Sequence, residues 1–505
     1  MPQSLIKSKY QDDKLLSVTH LRSGLKERAV KSVGITVFAQ FLKLALQVTS
    51  ITVMARLLEP TDFGLVAMVT VFTGFALQFM EGGLSMATVQ RDQINHAQVS
   101  NLFWVNFGLG SGLCILSMLL APQVARLYEE PRLTLVMIAM SLTFLIGGLS
   151  VQHDAILKRQ MRFRTISRID VTSMAVGIAT GILAALNGLG YWSLVISPVM
   201  TFFAKTVMRW CYAGWVPSLM SRGSGVRPLL KFGANITGAN FIGYLVTNLT
   251  PFAVGYFGGA QSMGLYNRAN TLTSIPSSQI LSPIINVIQS ALTRVAYSPD
   301  RLRCVVLSLM SKIAIVTMIV TVTMFVTADW LVYVLLGKGW EDAIAIFKVL
   351  SLSTIVTPIT TFTAIILVAT GKAKALMKWR VITLCILLIS ILIGSYWGFI
   401  GIVFAYGFSG FFIRMPFFLV YSTKYQPIKI FDYVKSLAPA FLCATFTLFI
   451  LILLRHFYNP TNPYYGIFQF SVLSICTYFL LCLAIKSTRS QIVDGLRMLR
   501  ILLFT

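Results

Sequence analysis

Four polar residues in the first long apolar stretch are spaced to act together: Thr36, Gln40, Lys43 and Gln47. Steps of four, three and four residues put them on one face of a helix. A lysine inside a membrane span costs ~2.5–3.5 kcal/mol on insertion scales, so this face should meet a wet interior or a charged partner. In the next stretch Gln78 and Glu81 share a face. Glu81 lies at a depth like that of Lys43, each roughly 10–14 Å from the inner end of its helix at 1.5 Å per residue. Two readings stay open: a structural Lys43–Glu81 ion pair, or a cationic cavity lining with Glu81 as a proton-sensitive partner. One pair can serve both.

A second polar set carries Asn235, Asn240, Thr247 and Asn248 with Gly233, Gly238 and Gly243. The stretch after it carries Asn267, Arg268, Asn270, Thr271, Thr273, Ser274, Ser277, Ser278, Gln279, Asn286 and Gln289, interrupted by Pro276 and Pro283. A single hydroxyl residue can simply mediate helix packing. A whole stripe is better explained by a hydrated cavity, and the proline pair reads as a kink or hinge. The sequons at Asn235 and Asn248 fall inside a span, which argues against glycosylation there.

Other chemistry is excluded. The chain has no GxSxG, HExxH or P-loop pattern, and no outer loop large enough for an active site. The longest such loop runs around Asp329–Lys348, and its Trp330 and Trp340 read as interface anchors. Histidines 20, 96, 153 and 456 are scattered in loops and termini, against a metal site. The seven cysteines form no CxxC and read as small buried hydrophobes.

The elements that must position these residues follow from composition. Of 505 residues, 56% are hydrophobic and 12% charged, with a mean hydropathy of +0.76. Soluble domains have about 45–50% apolar residues with glycine counted, and about 25% charged. This is an integral membrane protein. At ~20 apolar residues per span, fourteen helices are predicted, over 34–55, 63–88, 101–122, 133–151, 169–187, 189–210, 232–256, 265–290, 305–328, 343–369, 379–396, 398–420, 436–454 and 464–485. Run length excludes a barrel of ~10-residue strands. The polar start with seven Lys/Arg before Gly34 argues against a removed signal peptide. Small-residue pairs such as Gly108/Gly112, Gly177/Gly181 and Gly394/Gly398 suit close helix packing.

The net charge of +25, from 42 Lys+Arg and 17 Asp+Glu, sorts by side. With both termini cytoplasmic, 34 basic residues fall on the inner face and seven outside, with Lys43 within a helix. Acidic residues split nine inside and seven outside, with Glu81 within a helix. The excess thus orients the helices and meets anionic headgroups rather than nucleic acid. A 200-residue shift aligns Lys31 with Lys231, Ala39 with Ala239, Phe41 with Phe241, Gly64 with Gly264, Leu65 with Leu265 and Thr73 with Thr273. That is a parallel repeat of six helices, with two helices appended.

Three segments carry a family resemblance: ARLLEPTDFGLVAM at 55–68, its echo GYFGGAQSMGLYNRA at 255–269, and LLGKGWEDAIAIFKVLSL at 335–352. They resemble the polysaccharide-transporter (Wzx-type) flippases of the multidrug/oligosaccharidyl-lipid/polysaccharide exporter superfamily, most closely the colanic-acid-type branch. The resemblance covers nearly the whole chain. It implies two six-helix lobes, 34–210 and 232–420, in a V around a central cavity. The segments 1–33, 211–231 and 486–505 would be cytoplasmic, and helices 13 and 14 (436–485) would lie beside the second lobe. The implied cargo is an undecaprenyl-pyrophosphate-linked oligosaccharide flipped across the bacterial inner membrane. No cofactor is implied beyond a proton or sodium gradient, and the partners would be membrane lipids and the polymerase and chain-length components of the pathway. Relatives place cavity cations on helices 1 and 8, and Lys43 and Arg268 match. Gln40, Gln47, Asn240 and Asn248 would bind glycan or phosphate. The alternatives are a drug/cation antiporter, which would prefer cavity acids where only Glu81 is available, and a membrane glycosyltransferase, polymerase or ligase, which would need a catalytic acidic cluster.

Overall fold

The computed structural model describes residues 25–82, 85, 88–89, 94–221, 227–295 and 298–494, with side chains from 34 onward except 35, 79, 81–82, 227–240, 277, 280–297 and 299. Among these residues the fold is all-helical, without a strand. Ten helices are long and apolar enough to cross a membrane, or eleven if one bent pair counts as a span. The remaining expected spans fall on two helices introduced below as α7 and α8. The chain divides into two units: 1–245 with 259–264, and 246–258 with 265–505.

The first unit holds α1 (Leu25–Leu57), α2 (Pro60–Gly82), α3 (His96–Leu127), α4 (Leu133–Gly148), α5 (Val151–Arg159), α6 (Phe163–Leu186) and α7 (Trp192–Ala213). α4 and α5 are the bent pair, turning by 42° at their junction. Asn95 caps α3 by accepting from the Gln98 amide, while the Gln98 side chain accepts from the Asn95 amide. This reciprocal pair satisfies two donors that a helix start leaves bare.

The Gly177/Gly181 pair does what its spacing implied. A Cβ at 177 would overlap Thr201 Oγ1, and one at 181 would stand 2.7 Å from Ser197 Cβ. α6 and α7 therefore touch backbone to backbone. The other two pairs differ in whole or in part: nothing lies within 4 Å of a Cβ at 108 or 112, while Gly394 is a close contact, a Cβ there standing 2.6 Å from Gly401 O, and Gly398 sits at a turn with φ 70°.

α8 (Arg227–Val295) is two helices joined across a kink, between the expected spans 232–256 and 265–290, and its backbone stays helical through Pro276 and Pro283. Its departure from helical dihedrals is at Gly259, φ 71° and ψ −171°, where only glycine is unstrained. Gly259 falls in the expected break between those two spans, outside the span that holds Pro276 and Pro283. The N-terminal part of α8 packs on α2: Tyr244 donates to the Val71 carbonyl at 2.7 Å, and Phe241 lies 5.1 Å from Phe75. Farther on, a Cβ at Gly64 would overlap Ala260 O and one at Gly264 would overlap Pro60 O. These contacts exchange under the 200-residue shift found in the sequence.

The second unit continues with α9 (Pro299–Val326), α10 (Ala328–Leu335), α11 (Ala343–Ser353), α12 (Val356–Ala369) and α13 (Ala373–Ser395). α14 (Gly398–Phe408) widens into a π-turn over Ser409–Arg414 and resumes as α15 (Met415–Thr423), followed by α16 (Ile430–Phe457) and α17 (Pro463–Ala484). The appended helices are held firmly. α16 is clipped to α9 by Arg303–Asp432 at 2.5 Å near one end and by Ser311–Ser436 hydroxyls farther along, and Arg455 reaches Asp329 just past the other end. Thr323 and Ser474 join α9 to α17 at 2.9 Å.

Three expectations on side chains change. Trp330 and Trp340 are not interface anchors; they are 6% and 1% exposed. Arg455 covers the Trp330 ring at 4.1 Å, and Gly466 leaves room for that ring to lie against α17. His153 is buried inside α5 instead of lying in a loop, stacked on Trp210 at 4.3 Å with Nε2 3.2 Å from the Trp215 carbonyl. Among the cysteines, 114, 443 and 482 are buried and 211, 304, 385 and 476 are exposed.

Candidate functional site

The first unit gathers charge where its helices converge. Asp170, on α6, stands between two lysines: Lys205 Nζ of α7 is 3.1 Å from Oδ1, and Lys43 Nζ of α1 is 3.8 Å from Oδ2. Asp154, on α5, does the same for another pair. Arg209 Nη2 donates to Oδ1 at 2.7 Å, and Lys158 Nζ lies 2.7 Å from Oδ2, one turn along the same helix. Arg209 Nη1 also donates to Ser150 Oγ at 3.2 Å. The Gly177/Gly181 contact brings α6 and α7 close enough for Asp170 to reach Lys205, and the α4–α5 bend turns Asp154 toward Arg209.

Asp154, Lys158, Asp170, Lys205 and Arg209 line one cavity of about 250 Å³, closed on its apolar side by Leu77, Met80 and Phe202. Lys205 lies eight residues inside the end of α7, about 12 Å at 1.5 Å per residue. The ion pairs are partly shielded. Arg209 and Asp154 side chains are 14% and 11% exposed, and Lys43, Lys205 and Asp170 are 31%, 29% and 26% exposed. Charges at such depth interact more strongly than at a wet surface and must be matched nearby. Among the described residues four cations face two carboxylates. Three of these cations line the cavity and Lys43 adds the fourth beside Asp170, so the described cluster holds two more positive than negative charges, which suits an anion with several oxygens.

Of the residues singled out in the sequence, Lys43 is in this cluster, with Asp170 as its partner among the described residues. Gln47 is half-buried on the same face of α1, and Gln40 is exposed on it. The side chains of Glu81 and Asn240 lie outside the described residues. Asn248 and Arg268 belong to the second unit. Asn248 is half-buried, and Arg268 Nη2 donates to Asn267 Oδ1 at 2.9 Å.

Sequence reasoning missed Asp154, Asp170, Lys158, Lys205 and Arg209, because sorting charges by side had placed all of them with the inner face. A signal existed. Lys205 and Arg209 are four residues apart, on one face of a helix, and Asp170 opens the expected span 169–187.

The chain matches the sequence profile described as "Polysaccharide biosynthesis protein" over residues 53–345, more than half its length. It is 23% identical to the lipopolysaccharide biosynthesis protein WzxC of Escherichia coli (strain K12) over 377 residues, 74% of this chain and 76% of that one. It is 24% identical to the succinoglycan biosynthesis transport protein ExoT of Rhizobium meliloti (strain 1021), over 70% of this chain and 71% of that one. Its fold resembles that of the lipid II flippase MurJ in an inward closed conformation. The TM-score is 0.72 at 14% identity, covering 89% of this chain and 98% of that one. By the extent of the profile match, with the helical membrane fold around it, the chain belongs to the polysaccharide biosynthesis protein family.

Proposed function

We propose that this protein is a transporter, not an enzyme, that moves an undecaprenyl-pyrophosphate-linked oligosaccharide across the bacterial inner membrane. The observation that carries this is the two-charge excess, among the described residues, of Lys43, Lys158, Lys205 and Arg209 over Asp154 and Asp170. A diphosphate esterified at both ends carries two negative charges at neutral pH, which this excess would neutralise. A polyprenyl tail can stay in lipid while the headgroup and sugars occupy a polar site. A cationic drug would meet net positive charge here. The printed roles of the relatives, in lipopolysaccharide biosynthesis, succinoglycan transport and lipid II flipping, point the same way.

The fuller picture belongs to the same proposal. It has fourteen spans with both termini cytoplasmic, alternating access driven by a proton or sodium gradient, and hand-over to the polymerase and chain-length components. In a strain lacking its own exporter, wild-type protein should restore polysaccharide export. Lys43→Ala and Lys205→Ala, each present at wild-type level, should cut export at least tenfold and leave lipid-linked intermediate on the cytoplasmic leaflet. Full export by both variants would sink the diphosphate assignment.

A further inference from the structure

The second unit holds a cation of a different kind. Arg414 lies inside the apolar helix Gly398–Thr423, nine residues from its nearer end, about 13 Å at 1.5 Å per residue. Sorting by side had counted it with the inner face, yet the apolar helix continues for nine residues beyond it. An arginine near the end of a span ordinarily snorkels toward that end. Arg414 turns the other way. Its Nη2 donates to the Tyr406 carbonyl at 2.7 Å, two turns deeper, and its guanidinium lies 4.6 Å over the Tyr406 ring.

Sequence and backbone arrange this. Pro416 has no N–H to offer the carbonyl one turn earlier, and the helix widens into the π-turn Ser409–Arg414 just before it. Gly410 leaves the guanidinium its place, since a Cβ there would stand 2.9 Å from Nη2. Phe404, Phe408 and Phe412, two positions out of step with Tyr406, Gly410 and Arg414, are exposed, as lipid-facing residues of a span would be. The arginine thus sits on the side turned away from them.

No carboxylate pairs with Arg414 among the described residues, and its Nε is buried without a hydrogen-bond partner. A guanidinium with spare donors in an apolar helix, held by an aromatic face and one carbonyl, is poised to donate to a pair of anionic oxygens. We propose that Arg414 is an anion-binding cation of the second unit, engaging a carboxylate or phosphate of the transported molecule. This rests on the transport reading only for the source of the anion.

The test uses the full chain in nanodiscs, with methyl glucuronide as the carboxylate probe and farnesyl diphosphate as the phosphate probe. Phenylglyoxal should label Arg414 in wild-type protein, and saturating probe should slow labelling at least fivefold. The probe that protects identifies the source. Arg414→Gln should weaken that probe at least tenfold and Arg414→Lys less, while Gly410→Val should reproduce the loss with the arginine still present. Lys205→Gln, run in parallel, separates this site from the first: Arg414 protection should survive it. Labelling that neither probe slows, or Arg414→Gln binding both probes within twofold of wild type, overturns the proposal. If the variants fail to fold, the labelling of wild-type protein still decides it.

Discussion

The two units treat buried positive charge in opposite ways. In the first, each carboxylate is shared by two cations: Asp170 by Lys43 and Lys205, Asp154 by Arg209 and Lys158. In the second, Arg414 is held by the carbonyl and ring of Tyr406, without a carboxylate among the described residues. A shared carboxylate fixes the positions of cations but cancels only part of their charge. A ring and a carbonyl fix a guanidinium and cancel almost none. Both arrangements leave positive charge unspent, through a surplus of cations in one unit and through a missing anion in the other.

The contrast breaks most sharply at Asp154. Removing one partner of a buried pair leaves the other charge uncompensated, so Asp154→Ala should cost about 3–5 kcal/mol, read by reversible unfolding in detergent. A loss below about 1 kcal/mol would mean that water already serves Arg209. Next comes Gly177→Val. Overpacking costs about 1–3 kcal/mol, and here it also pushes α6 from α7. Lys205 should then react faster with an amine-modifying reagent; an unchanged rate would show that Asp170 does not depend on that contact.

Asp170→Asn should cost less, about 1 kcal/mol, because its three groups are about a quarter exposed and screened. Adding Lys205→Gln should recover part of that loss, since contacting residues are not additive. Strict additivity would deny that the two form a unit. Smallest is Lys158→Ala, within about 0.5 kcal/mol, because an i,i+4 pair with its lysine 49% exposed contributes little. A larger loss would mean that Lys158 shares more with the cavity's other charges than its pair with Asp154.

Much of the molecule was written in the chain. Composition requires a membrane protein, because so large an apolar share cannot be buried in a soluble core, and the length of the apolar runs requires helices. The 200-residue repeat foretold that Gly64 and Gly264 occupy equivalent places, and they meet exchanged partners. Lys43 was legible because a lone lysine in an apolar run is costly wherever it sits. Asp170, Lys205 and Arg209 were hidden among end-of-span charges that ordinarily face water. Only the packing of α6 on α7 and the bend before α5 turned them toward one cavity. Arg414 was hidden in the same way, and a π-turn before Pro416 decided its direction. The sequence by itself determined which residues must leave water and roughly where helices run, since that depends on local composition. Only tertiary structure decided which charges meet, because pairing over 3–4 Å depends on how helices approach one another, not on order along the chain.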